Sequence, residues 1–314
     1  MINEIMFHPL GRPAEDPAEE WLELYLPDNN KAVDLSGWQI NRGVSFTFPE
    51  GTVMLPGSAL VIAAHVETFH LHHPDHLGTV LGGWEGKLSN ANESIRLEDA
   101  SGKKVDEIDY ATHGDWALRI RAAEVNRFEG WTWLNPADGE GFTYERLQPH
   151  FDINSGQIWR ISVTEGGSPG EPTPDFTTDV APVIQDLTHL PTIPRQGRTI
   201  SITAKVTDDN AITPEVRLRW RVDGSTEYQS RDMTLERSGL YEASIPAQFN
   251  RTVIEYYVEA SDGVNERTWP AKARTSPFDE EQNVSFQQVT NALLQVDDSF
   301  EKLTDNPGSQ PVYR

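Results

Sequence analysis

The chain has 314 residues, with 49 Asp and Glu against 26 Lys and Arg, a formal net charge of −23 and no cysteine. Without cysteine there are no disulfides, thiolate nucleophiles, Fe–S clusters or Cys-ligated zinc, and the negative balance opposes any sequence-independent grip on nucleic acid or anionic lipid. The length accommodates two domains with separate cores, and the 21 Pro and 23 Gly among frequent aromatic and β-branched residues point to an all-β architecture. No apolar run approaches membrane-spanning length, so no membrane insertion is expected. "MINEIMFHPL" has no basic region leading into an apolar core, so no signal peptide is visible. The expectation is an extracellular or cell-surface protein whose sequence is N-terminally truncated, or alternatively a cytoplasmic one.

In "EEWLELYLPDNN", Leu22, Leu24 and Leu26 alternate with Trp21, Glu23 and Tyr25, which predicts a strand closed by the PDNN turn. Glu19, Glu20 and Glu23 invite a reading as paired acid and base, but strand geometry does not bring them to one point. They are expected to be solvated glutamates at a strand edge. "VSFTFPEGTVMLPGSALVIAAH" continues the pattern through Phe46 and Phe48, then a buried strand. "ESIRLEDASGKKVDEIDY" reads as a hairpin with Ile95 and Leu97 inward, DASGK as the turn, and Val105 and Ile108 on the return. Only "VETFHLHHP" between them looks helical, and Pro74 should stop it. The cluster His70, His72, His73 and His76 supplies four imidazoles in seven positions, a transition-metal set if they converge and solvated loop histidines if they do not.

These landmarks carry a resemblance. "INEIMFHP", "EEWLELY", "DLSGW", "VSFTFPEGT", "GKLSNANESIRLEDASGKKVDEIDY", "DGEGFTYERLQP", "IWRIS" and "GGSPGEPT", in that order, resemble the lamin tail domain in its bacterial multidomain form, over residues 1–173. The resemblance implies an immunoglobulin-like β-sandwich with no catalytic residues. It also implies Trp21, Trp38 and Trp159 as core anchors and Gly37 and Gly102 as turn formers.

Farther along, "FEGWTWLNP" puts Trp131 and Trp133 at strand spacing on one face, either capping a core or forming a binding platform for a carbohydrate or other polymer. "GGSPG" matches the G-x-S-x-G nucleophile elbow in letters only. The elbow takes an oxyanion-hole N–H from the residue after the serine, and here that is Pro169, so Ser168 is no nucleophile. Residues 164–180 have the Gly/Pro/Thr density of a linker, placed at 174–180. A second domain is expected at 181–275, with Ile200, Ile202, Ala204 and Val206, then Val216, Leu218, Trp220 and Val222, then Ile254, Tyr256 and Val258 inward. Its motif order resembles bacterial immunoglobulin-like or fibronectin type III modules. Asp208, Asp209 and Asp262 at its strand ends suit a calcium ion, or simply favour the turns there.

The tail, 276–314, spaces Phe286, Val289, Leu293, Val296, Phe300 and Leu303 by threes and fours, a helical period. Against that, "NALLQVDDSF" and "NPGSQPVYR" resemble the extended lead-in to a spore-coat protein H (CotH) kinase domain, and the extended reading is preferred. The fold class is therefore all-β: two tandem immunoglobulin-like β-sandwiches with a short irregular acidic C-terminal tail. The expected function is a non-catalytic interaction or spacer module of a bacterial surface or exported protein, the N-terminal part of a CotH kinase-type protein. Its partner would be a protein or extracellular polymer and not nucleic acid. No cofactor is expected, apart from the calcium alternative, and the carbohydrate and histidine-metal readings remain as alternatives.

Overall fold

Alternating apolar residues pair into sheets throughout, and the chain is nearly all β. The computed structural model describes residues 1–11, 14–28, 31–125, 130–171, 173, 176–210, 212–275, 286–289, 291–299 and 312–313. It divides into two compact units: Met1–Leu118 with Asn135–Thr178, and Arg119–Leu134 with Asp179–Arg314. No helix among the described residues is long and apolar enough to cross a membrane.

The first unit holds a sheet in the order Trp159–Ile161, Tyr144–Arg146, Ile2–Met6, Trp21–Leu26, Ser58–Ala63 and Val80–Gly82, and another in the order Lys104–Ala111, Asn92–Glu98, Gln39–Asn41, Val44–Thr47 and Glu85–Gly86. Ile5, Leu22, Leu24 and Ile62 of the one and Ile40, Ile95, Leu97 and Ile108 of the other are buried. Phe7 ties the sheets together, its ring 4.8 Å from Tyr110 and 5.3 Å from Tyr144. Trp21 and Trp159 are buried as the resemblance implied, whereas Trp38 is only half-buried. Gly37 and Gly102 both adopt the positive φ that their turns require.

One expected strand face is corrected. Val105 is 41% exposed, and Asp106, Ile108 and Tyr110 turn inward. Residues three apart cannot share a strand face, and pairing Ile95 with Ile108 puts Asp106 opposite Leu97. Asp106 is tolerated inside because its Oδ2 accepts from Arg146 Nη1 at 3.1 Å and from the Ile2 N–H at 2.8 Å.

The predicted helix is Val66–His72. His65 caps its N-terminus by accepting from the Thr68 N–H, and the helix ends before Pro74. Its buried Phe69 meets Trp21 edge-on at 5.9 Å, against the face of the first sheet that bears Trp21.

The second unit has one sheet in the order Val183–Leu190, Ile200–Thr207, Leu240–Ile245 and Thr234–Arg237. A second runs Gln229–Asp232, Glu215–Val222, Val253–Ser261, Ala292–Gln295 and Val312–Tyr313. The expected inward residues Ile200, Ile202, Ala204, Val206, Val216, Leu218, Trp220, Ile254, Tyr256 and Val258 form one core cluster, while Val222 at its strand end is 38% exposed. A small sheet joins Trp131–Leu134, Leu118–Arg121, Ala273–Arg274 and Phe286–Gln287.

The tail is less irregular than expected. Ala292–Gln295 pairs antiparallel with Val253–Ser261, and Ala292, Leu294 and Val296 enter the core. A period of two, masked in sequence by the coincidental threes and fours, decides that stretch; Leu293 is half-buried and Phe286 is 53% exposed. Phe300, Leu303 and most of the CotH-like segment 306–314 lie outside the described residues.

Candidate functional site

The first unit gathers carboxylates where none was expected. Glu4 pairs with Glu23 on one side and with Glu145 on the other, and Glu145 pairs with Arg160. Residues directly opposite across a ladder share a sheet face, so Glu23, Glu4, Glu145 and Arg160 form a row across four strands. A bulge between Ile2 and Glu4 re-aims the first strand so that Asn3 also reaches the row, donating from Nδ2 to Glu23 Oε1 at 2.8 Å. Glu4 and Glu23 have no exposure and Glu145 only 1%. The expectation of solvated glutamates is thereby overturned for Glu23 and for Glu20, which is also wholly buried and accepts from the Leu88 N–H at 2.8 Å. Glu19 remains half-buried at the end of the short 3-10 turn Pro17–Glu19.

The cover over the row is the glycine-rich segment read as a nucleophile look-alike and the start of a linker. The Ser168 N–H donates to Glu4 Oε1 at 2.9 Å, the Ser168 hydroxyl to Glu145 Oε1 at 3.0 Å, and the Gly170 N–H to Glu23 Oε2 at 2.5 Å. Thr143 adds a 2.6 Å bond to Glu4 Oε1. A Cβ on Gly167 would run into the Glu4 carboxylate, and one on Gly170 into the His76 ring; both have φ above +70°. Glycine is required there because the backbone itself is the hydrogen-bonding surface. Ser168 thus serves as a hydrogen-bond donor to two carboxylates of the row.

Burial dominates the electrostatics. It raises the Glu4 carboxyl well above the usual range, reinforced by Glu23 and Glu145 and opposed by Thr143 and Ser168. Burial likewise pushes Glu23 up to about 7, against the bonds from Gly170 and Asn3, and Glu20 up to about 7, against the bond from Leu88. Arg160, donating from Nε to Glu145 Oε2 at 2.8 Å, is the cation within the row.

The histidines divide. His70 is exposed. His72 lies 3.6 Å from Glu19. His73 stacks on Phe69 at 4.6 Å, and burial, then His72 and His76, lowers it to about 4. His76 shares a 3.0 Å hydrogen bond between its Nδ1 and the Pro169 carbonyl. His72, His73 and His76 line a cleft of about 510 Å³ with Glu145, Ser168 and Pro169. The turn that follows the helix therefore contacts the glycine-rich segment through His76. Among the described residues no three His, Asp or Glu side chains are arranged to hold a metal ion.

A second cavity, of about 730 Å³, is lined by Leu24, Leu35, Trp38, Met54 and Leu97 and by the buried Asp106–Arg146 pair. Sequence reading missed it because its lining comes from segments far apart in the chain.

In the second unit Trp131 and Trp133 are half-buried and edge-to-face, with centroids 4.4 Å apart at 78°. The Arg119 guanidinium lies 4.7 Å from the Trp133 ring, 5.0 Å from Trp269 and 5.6 Å from Trp131. Their π-faces are engaged by that cation rather than laid out as a flat platform. Asp208 and Asp262 cap their own loops, accepting from the N–H groups of Asn210 and of Val264 and Asn265, and Asp209 accepts from Val180. Burial, then Asp209 and Asp262, raises the Asp208 carboxyl.

Residues 1–112 match the family model of the Lamin Tail Domain. No curated protein matches the chain.

Proposed function

We propose that this chain is a non-catalytic interaction or spacer module of a bacterial surface or exported multidomain protein, the N-terminal part of a CotH kinase-type protein; the Lamin Tail Domain match over residues 1–112 supports the module reading, and the resemblance of "NALLQVDDSF" and "NPGSQPVYR" is the ground for the parentage. The observation that carries this reading is the use made of the carboxylate row. Glu4, Glu23 and Glu145 are a buried cluster of carboxylates in the first unit, and the chain's own N–H and O–H donors occupy them from above. A general acid or base must reach a substrate proton; with Glu4 and Glu23 wholly buried and Glu145 only 1% exposed, that reach would require displacing residues 167–170. The strand order of the second unit supports a tandem arrangement. The 183–190, 200–207, 240–245 and 234–237 strands opposite the 229–232, 215–222 and 253–261 strands follow the ABED and C′CF sheets of immunoglobulin-like sandwiches. Such sandwiches present partner-binding loops at their ends, and any kinase activity would belong to a longer parent polypeptide.

The test is an immunoblot of fractionated source cells with an antibody against this chain. A band well above 35.3 kDa in the surface or exported fraction is expected. A cytosolic band at that mass would overturn the reading and direct the search to an intracellular partner.

A further inference from the structure

We propose that residues 167–170 form a strap whose docking over Glu4, Glu23 and Glu145 takes up protons, so that it is closed at mildly acidic pH and loosens as pH rises through neutrality. The ligand of this site is the proton itself.

The argument starts from charge and hydrogen-bond balance. Three carboxylates lie side by side with no exposure above 1%, facing one guanidinium, that of Arg160. Adjacent buried carboxylates cannot all ionise against a single cation without a large desolvation and repulsion cost. Two buried acceptors, Glu4 Oε2 and Asn3 Oδ1, have no hydrogen-bond donor among the described residues. A proton on Glu4 removes the charge at the first. The titratable groups lining the cleft beside the strap are His72, His73, Asp75, His76, Glu145 and Glu171, and among the described residues no Lys or Arg lines it. His76 is engaged through the Pro169 carbonyl, His73 stacks on Phe69 next to Gly166, and Thr143 and Ser168 are neutral donors. Glu165, beside Gly141, adds a further negative charge. On the opposite sheet face Asp106 and Arg146 neutralise one another.

The direction follows from linkage. Docking the strap removes the row from water and so favours the protonated carboxyls, while an undocked strap lets them ionise at ordinary values. For Glu23, docked at about 7 against an ordinary 4.5, docking is fully favoured below about pH 4.5 and loses that support as pH climbs to about 7. The strap's own N–H bonds act in the opposite sense, but burial is the larger effect at both Glu4 and Glu23.

Hydrogen exchange of the Ser168 and Gly170 amides in the full chain, corrected for the intrinsic rate at each pH, reads strap docking directly. Between pH 6 and pH 8 protection should fall about tenfold for one proton released, while amides of the Ile200–Thr207 strand keep theirs. Glu4→Gln and Glu23→Gln each remove a titrating group and should flatten the fall. Infrared spectroscopy of the unsubstituted protein needs no variant to fold, and should show a protonated carboxyl persisting at pH 6 to 7. Protection that does not change with pH, a fall of equal size in both variants, or no protonated carboxyl at pH 6 would each overturn the proposal.

Discussion

Gly102 and Gly167 both sit in left-handed backbone, at φ +82° and +73°, yet their replacement by alanine should differ. A Cβ on Gly102 meets open space, so Gly102→Ala should cost only the backbone strain, about 1 kcal/mol. A Cβ on Gly167 meets the Glu4 carboxylate and Thr143, so Gly167→Ala must also dislodge donors from a buried acid, for a total of roughly 3 kcal/mol. Denaturant midpoints of the first unit's unfolding check the ranking, and equal losses would mean that the segment is not seated as described. The same contrast explains what the sequence did and did not disclose. Turn glycines such as Gly102 declare themselves through neighbours in a hairpin pattern. Glu23 looked solvated because its cover, Gly170, lies 147 residues away, and no local window contains both. A better signal was present in the motifs themselves: Glu4, Glu23, Glu145 and Ser168 all fall in the quoted stretches, and polar residues inside alternating strands invite the question of what they bond to.

At the scale of elements, two periods competed for the tail. A helix would bury Leu293 and Val296 together, whereas the strand Ala292–Gln295 buries Leu294 and leaves Leu293 half out. Leu294→Ala should therefore destabilise the second unit by about 2–4 kcal/mol through the cavity it leaves, and Leu293→Ala by under about 1 kcal/mol. Thermal unfolding of the two variants separates them; a larger loss at Leu293 would restore the helical reading. Strands with unbroken alternation, such as Ile200–Thr207, were legible outright because every second side chain enters the core. The helix Val66–His72 was legible because Pro74 marks where it must end. The aromatic cluster was only half legible: Trp131 and Trp133 stood out, but Arg119 and Trp269, which give them their contacts, are separated from them in sequence.

For the molecule as a whole, pH should act against intuition for so acidic a chain. Glu20 and Glu23, raised to about 7 by burial, contribute stability that is fully present below about pH 4.5 and is lost as pH rises to about 7. His73, lowered to about 4 by burial, works the other way, adding stability as pH rises from about 4 to 6.5. The two glutamates outweigh the one histidine, and above pH 6.5 the histidine no longer offsets them. The unfolding temperature of the first unit should therefore fall from pH 5 to about pH 6, above which the Met1 amine, lowered by burial to about 6, works against the glutamates, and Glu20→Gln should shallow the slope. A rise over the same interval in a scanning-calorimetry series would refute this balance. The all-β class was readable from composition and alternation. The division of the chain was not, since residues 119–134 cluster with strands more than 130 residues downstream, and such returns leave no mark on a local pattern.

The distance between the carboxylates and their cover has a consequence for biosynthesis. Glu4 leaves the ribosome 164 residues ahead of the Ser168 N–H that satisfies it. At ordinary elongation rates that is a delay of roughly ten to thirty seconds. For most of it, Ile2–Met6 lacks its Tyr144–Arg146 neighbour and stands as an open sheet edge. The acids of the row, still in water and ionised during that interval, keep the unfinished edge charged. The residues that must later be buried at a cost thus guard the nascent chain against pairing with its neighbours on the same message.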